Sequence, residues 1–521
     1  MFPKLNCKRV FIVLLLNLAG LAGCGLLASS VQAASRPTAV VTVKAQAQTA
    51  PLPGTPDVSP NDAGYQANTS QLNPLGATLW WGAITKHTCS ASALEDIGSG
   101  ITQQPDLPVS SALDYVPGDS SPGTDSSGHD THVGSIARAN INDKQGVAGF
   151  SNCPLISAKA FVDGVNQNEY FANAINDAAN NALVKVILVE FQQCANTDGF
   201  GDLVNAIKNA AAHDKVVVVP AGNAPFCSDL AAAVFGVSGV ITVTSIHFLG
   251  GRRVQLDSTS YHGTSVATVA APGNLPADNP DGSVSLVDGT SYAAPLVAAV
   301  AVEMRDMVPG LSAASTVQYI SDSGAKASDF FTKQPLDDYC HCYINPLQSL
   351  LDAGWQQPSG TVNVKVTGRG KVEDLTYTTF SCTTACSGKV YDGSEMQVEA
   401  TPSSGWVFAG WQGSSCRKQN LCTVTATGVV NLKPKFVKRP KVKIMVVVAS
   451  GKGTIHISAS GVGQQRSIAV VDYGQPKVSI LFIPAKGLHF VRWTGVCAGQ
   501  KDPCILRHVM PPNKQIKVYS K

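Results

Sequence analysis

Three short stretches of this chain carry side chains that could do nucleophilic and acid–base chemistry. In Gly289-Thr290-Ser291-Tyr292-Ala293-Ala294-Pro295 a serine lies between a glycine-containing turn and the apolar helical run 296–307. Its backbone N–H would fall among the unsatisfied donors of a helix N-terminus, where negative charge is favoured. A serine hydroxyl is a weak nucleophile until a base takes its proton. About 160 residues earlier, Gly128-His129-Asp130-Thr131-His132-Val133-Gly134 offers a histidine at a helix start. Between them, Pro220-Ala221-Gly222-Asn223 follows an apolar run and sets a side-chain amide in a turn. Such an amide can hold an oxyanion. Each stretch has an ordinary reading on its own, as a cap or a turn. A second Gly-Thr-Ser, at Gly263-Thr264-Ser265, has no helical run directly behind it. In this order, the three predict a serine nucleophile, a histidine base and an oxyanion donor.

The elements that must position them are legible from about residue 75 to 351. Short apolar runs at 155–161, 184–189, 216–219 and 240–243 read as buried strands, and 169–182 and 203–213 carry helical spacing. Strands alternating with helices imply an α/β domain with a mainly parallel sheet and helices on both faces. In such sheets, chemistry gathers at the strand carboxyl ends and adjoining helix N-termini.

The rest of the 521-residue chain divides by composition. Lys4, Lys8 and Arg9 precede an apolar run from residue 10, so residues 1–23 read as a secretory signal. Leu21-Ala22-Gly23-Cys24 resembles a lipobox, which would make Cys24 a lipidation site; Val31-Gln32-Ala33 offers ordinary cleavage instead. Residues 24–68, rich in Ala, Pro, Thr and Gln, read as a flexible tether. The α/β domain is assigned to 69–355. Two β modules follow, at 361–438 and 441–521, because Pro402-x-x-Gly405-x-x-Phe408-x-x-Trp411-x-Gly413 recurs as Pro484-x-x-Gly487-x-x-Phe490-x-x-Trp493-x-Gly495. Cysteines follow each copy, and an even complement in an exported chain reads as disulfides. The charge is split: residues 361–521 hold 22 Lys and Arg against 7 Asp and Glu, while the remainder holds 17 against 29. The basic half suits an anionic cell-surface or polymer partner, with no specific nucleic acid required. Cys340-His341-Cys342 is too small a group for a metal site; disulfides to Cys89, Cys153, Cys194 or Cys227 are expected instead.

Residues 75–351 resemble the subtilisin-like serine peptidases. Gly-His-Asp-Thr-His-Val is similar to the family's Gly-His-Gly-Thr-His-Val, Pro-Ala-Gly-Asn to Ala-Ala-Gly-Asn, and Gly-Thr-Ser-Tyr-Ala-Ala-Pro to Gly-Thr-Ser-Met-Ala-Ala-Pro. The resemblance implies endoproteolysis of a protein or peptide, with Ser291 as nucleophile, His129 as base and Asn223 at the oxyanion. The repeats resemble divergent internalin-B-type repeats of bacterial surface proteins. The family's triad aspartate lies in Asp-Ser/Thr-Gly-Ile, and without gaps Gly98 falls on it. Asp96 fills the role only if β-strand register shifts locally, since residues two apart lie about 6–7 Å apart along a strand. Asp130 stands where the family has glycine, as a helix N-terminal charge or a perturbation of His129. Glu190, Phe191 and Gln192 occupy the substrate-backbone segment, usually Ser-Leu-Gly; they imply narrowed, basic-directed specificity or obstruction. No cofactor is required. Calcium is common in the family, but no compact carboxylate loop here calls for it.

The expectation is an exported or lipid-anchored serine endopeptidase, membrane-bound only through its lipid. The rival expectation is a catalytically impaired fold acting as a surface-binding protein.

Overall fold

The computed structural model describes residues 50–521 apart from 120, 162–166, 251–252, 264, 338–340, 413–415, 417–418, 460–461, 466, 473–474 and 510–512. The signal segment, Cys24 and Cys340 lie outside the described residues.

Helices of the first domain are α1 (Ala63–Ala67), α2 (Thr69–Leu72), α3 (Ala77–Ile84), α4 (His129–Arg138), α5 (Asn168–Asn180), α6 (Phe200–Ala212), α7 (Asp229–Val234), α8 (Thr290–Met307), α9 (Ala313–Asp322) and α10 (Pro346–Asp352). Its strands are β1 (Ala93–Gly98), β2 (Ser111–Asp114), β3 (Leu155–Lys159), β4 (Val184–Val189), β5 (Val216–Pro220), β6 (Val240–Phe248), β7 (Val254–Leu256), β8 (Val269–Pro272), β9 (Leu275–Asp278), β10 (Val284–Val287), β11 (Ala325–Lys326) and β12 (Cys342–Tyr343). Among the described residues, one sheet runs β11-β12-β8-β6-β5-β4-β1-β3-β2, with β7 on β6. The pairings from β2 through β8 along this path are parallel.

The sheet is buried on both faces, which is why its strands read as near-continuous Val and Ile runs. Val186 and Leu188 of β4 enter the core that holds α4 and α8; Ile187 and Val189 enter the one that holds α5 and α6. Helix α8 is apolar all round from Ala293 to Val302, and Ala293 through Met304 are buried, as expected of a helix threaded through a core. Its N-terminus therefore cannot drift from the sheet, and Ser291 is fixed with it.

The domain starts earlier than residue 69. Tyr65 of α1 packs edge-on against Trp81, ring centroids 5.1 Å apart. Buried Asp62 accepts from the backbone N–H groups of Asn142, Asp143 and Lys144. Polar composition hid this anchoring, because hydrogen bonds to backbone leave no hydrophobic period. Residues 50–68 are thus packed chain.

Two β-sandwiches follow, and they repeat one topology. Numbering eight strands within each module, one sheet has the order fourth-first-eighth-sixth and the other third-second-fifth-seventh, in both modules. The first strands are Ser359–Lys365 and Lys441–Ser450, the eighth Val429–Lys438 and Lys514–Ser520. Trp411 and Trp493 fill equivalent core positions. Disulfides join Cys89–Cys153, Cys194–Cys227, Cys382–Cys386, Cys416–Cys422 and Cys497–Cys504. The pairing expected for Cys342 with one of the first four is therefore wrong: those four bond one another, and Cys342 is itself in a disulfide.

Candidate active site

Ser291 is the second residue of α8, and Gly289 caps that helix with φ 138°, a backbone conformation open to glycine. A Cβ at Gly289 would lie 3.3 Å from the Asn223 amide, so the turn closes directly on that side chain. Thr290 N donates to Asn223 Oδ1 at 3.1 Å, and Gly222 N donates to Thr290 Oγ1 at 3.2 Å. The accepting Oδ1 fixes the orientation of the amide, whose Nδ2 is its donor atom. The β5 carboxyl end and the α8 N-terminus are thereby laced together.

Gln192 secures the same turn. Asn223 N donates to Gln192 Oε1 and Gln192 Nε2 donates to Asn223 O, both at 3.0 Å; Nε2 also reaches Cys227 O at 2.8 Å. The expected substrate contact through the Gln192 side chain is replaced by this structural one. Phe191 does not obstruct the site either: its ring stacks on Phe171, centroids 4.1 Å apart, in the core behind β4. Alternation along the extended chain sends Phe191 to that side.

His129 opens α4, and its N-terminus is organised by Asp125. That carboxylate accepts from Ser127 N, Gly128 N and Thr131 N, and from the hydroxyls of Ser99, Ser127 and Thr131. A carboxylate just before a helix is the signal for such a cap, yet sequence reasoning passed over Asp125. The His129 and Tyr292 rings lie 5.6 Å apart, bringing the starts of α4 and α8 together.

The carboxylate paired with His129 is Asp130. Its Oδ1 lies 2.7 Å from His129 Nδ1, and its side chain is 1 % exposed. Asp96, the expected partner, does not reach His129. β1 keeps regular register with β3 and β4 from Leu94 onward, so the local shift that Asp96 needed is absent. Both Asp96 carboxylate oxygens are buried without a hydrogen-bond partner. Burial, then the charges of Asp130 and Glu190, pushes Asp96 well above the usual carboxylate range.

The electrostatics of the site follow from this crowd of acids. Burial disfavours the imidazolium of His129, but the Asp130 hydrogen bond and charge, with Glu190 and Asp125 behind, carry it up to about 9. Glu190, 6 % exposed just beyond β4, is pushed up to about 8 by burial, against the opposing charge of His129. Neither Glu190 oxygen completes a hydrogen bond, though the Ser291 hydroxyl is near enough to stabilise its ionised form. Away from this site, His247, Asp257 and Asp288 bring three ligand atoms within 4.8 Å. An imidazole in that set does not fit calcium, which takes oxygen ligands.

A serine on a helix N-terminus, a carboxylate-paired histidine and a side-chain amide at one end of a parallel sheet form the arrangement of a serine peptidase. Residues 56–337 match the subtilase family, and 361–439 match the divergent InlB B-repeat domain. The chain belongs to the subtilase family. Thermitase of Thermoactinomyces vulgaris is 31% identical over 250 residues, 47% of this chain and 84% of that one. The thermophilic serine proteinase of Bacillus sp. (strain AK1) is 29% identical over 247 residues, 47% of this chain and 59% of that one. The solved structure of MycP1 from Mycobacterium smegmatis aligns with TM-score 0.44 at 21% identity, covering 60% of this chain and 90% of that one.

Proposed function

We propose that the chain is an exported serine endopeptidase whose basic modules hold it at an anionic surface. In this reading neutral His129 takes the Ser291 proton through Nε2, Nδ1 being engaged by Asp130. Ser291 Oγ attacks the scissile carbonyl, while Asn223 Nδ2 and the Ser291 N–H hold the oxyanion. His129 then protonates the leaving amine, and water hydrolyses the acyl-enzyme by the same path reversed. The observation that carries the reading is the lacing of the Ser291 turn to Asn223, beside a carboxylate-paired histidine. Fluorophosphonate labelling of the full chain, lost in Ser291→Ala, tests it; correctly folded wild-type protein that takes no label would refute it.

Export rests on the basic, then apolar, N-terminal segment, with Cys24 as the proposed lipid anchor. Among the described residues no helix is long and apolar enough to cross a membrane. For the modules, outward alternation exposes Lys433 and Lys435 on the last strand of the first, and Lys441, Lys443 and Lys517 on one sheet of the second. Glu190 beside Ser291 favours substrates with a basic side chain next to the scissile bond, which a peptide library would reveal as Lys and Arg enrichment. The same buried acid supports a second reading, a catalytically impaired surface-binding protein, for which Glu190→Ser should raise the labelling rate.

A further inference from the structure

We infer that Asp130, delivered from helix α4, has taken over the histidine-orienting role from strand position 98, where glycine stands. The inference rests on the peptidase reading above and names a positioning residue within it.

Two independent geometries meet here. The first is the ion pair, His129 Nδ1 to Asp130 Oδ1 at 2.7 Å. The second concerns space. A Cβ built on Gly98 would lie 1.9 Å from Asp130 Oδ2, 2.6 Å from its Cγ and 2.7 Å from Oδ1. The Asp130 carboxylate therefore fills the volume that any side chain at 98 would enter. One carboxylate fits between β1 and His129, and it can be rooted on the strand or on the helix, but not on both.

The helix root is built for its load. Neighbours one apart on a helix do not ordinarily face each other, but His129 is the first helical residue, with no preceding turn to hold its ring. Asp130 N donates to Ser99 Oγ at 3.2 Å, and Ser99 Oγ donates to Asp125 Oδ1 at 2.9 Å. A negative charge in the first turn is also favoured by the helix dipole. Rival carboxylates fail on geometry: neither Asp96 nor Glu190 has an oxygen within 4.0 Å of a His129 ring nitrogen, a range in which Asp130 alone stands among the described residues. The groups surrounding the pair are Asp96 from β1, Asp125 before α4, His132 on α4, Glu190 after β4 and Tyr292 on α8.

The test uses the full chain, with fluorescein-labelled casein and a fluorophosphonate as probes and thermal melts to establish folding. Asp130→Asn should lower kcat by about 10⁴, the cost of the corresponding change in the serine-protease template, with KM little moved. Gly98→Asp alone should be poorly folded or poorly active, since two carboxylates then compete for one space. The reciprocal double variant Gly98→Asp/Asp130→Gly should recover activity over Asp130→Gly by about 100-fold or more, a coupling expected only of residues sharing one site. Asp96→Asn should leave kcat and the pH profile in place. Retained activity in Asp130→Asn, collapse in Asp96→Asn, or a folded double variant without recovery would each overturn the inference. Titration of ¹⁵N-labelled histidines in Ser291→Ala separates the inference from the peptidase reading. Even in a chain that cleaves nothing, the His129 midpoint should drop on Asp130→Asn, and an unmoved midpoint overturns the pairing.

Discussion

Gln192 grips Asn223 at both backbone atoms, accepting from its N–H and donating to its carbonyl at 3.0 Å each. The amide proposed for the oxyanion is thus positioned by a side chain bonded to its own backbone. Gln192→Ala should lower kcat by about 10–100-fold, since small misplacements of a reacting group carry costs of this size. Asn223→Ala should cost about 10²–10³. The double variant should be no worse than Asn223→Ala, because the grip matters only through what it holds. Steady-state kinetics of the three variants check this.

Activity should be alkaline. His129 must be neutral to accept the Ser291 proton, and its environment carries it up to about 9. The kcat/KM of the free enzyme should therefore rise with pH through the region of 9, above the ordinary histidine range near 6.5. A limb centred near 6.5 would contradict the electrostatics of the site.

Stability should move the other way with pH. Glu303, buried in α8, accepts from Ser151 Oγ and Asn152 N, yet burial pushes it up to about 7. A carboxyl with a raised folded pKa contributes stability that is full below its unfolded value and lost as pH rises through the folded one. The melting temperature should fall between about pH 4.5 and 7 on this account. Glu303→Gln, which cannot ionise, should flatten that slope in a melt series.

The Cys194–Cys227 disulfide, spanning 33 residues, adjoins the Gln192 clasp, whose Nε2 donates to Cys227 O. Replacing both cysteines by serine should cost about 3–4 kcal/mol by loop entropy. It should also lower kcat at temperatures where the melt shows the chain still folded. Unchanged kcat would mean the clasp holds without its staple.

Binding to anionic polymer should be governed by the modules. The full chain on heparin–agarose should elute early at moderate salt, because exposed charges are screened beyond about 8 Å at physiological ionic strength. Lys441→Glu/Lys443→Glu should elute earlier still. Retention that ignores salt would point to a different kind of contact.

The fold was legible because a doubly covered sheet writes itself as Val-rich runs: β4 begins and ends where the apolar run 184–189 does. Ser291, His129 and Asn223 stood out because turn glycines surround them. The histidine's carboxylate was not legible in the same way. Motif matching compares chain positions, whereas the ring responds to whatever oxygen occupies a volume, and Gly98 and Asp130 share one volume from distant positions. Phe191 was misread for the opposite reason: its chain position matches a substrate segment, but its ring faces the core. The anchoring of 50–68 escaped because Asp62 works through backbone N–H groups, which sequence does not display.

The entry of the first domain is also sewn to the first module. Tyr391 N donates to Pro53 O, Ser394 Oγ to Gly54 O, and Leu52 N to the side chain of Gln357 in the connecting segment. A load applied to the module is consequently shared between the covalent connection after α10 and this stitched strip at the domain's beginning. Under the proposed anchoring at one end and polymer contact at the other, the strip is the first part of the domain that tension would meet. Tension would peel residues 50–55 away before it reached the sheet against which α8 and its serine pack.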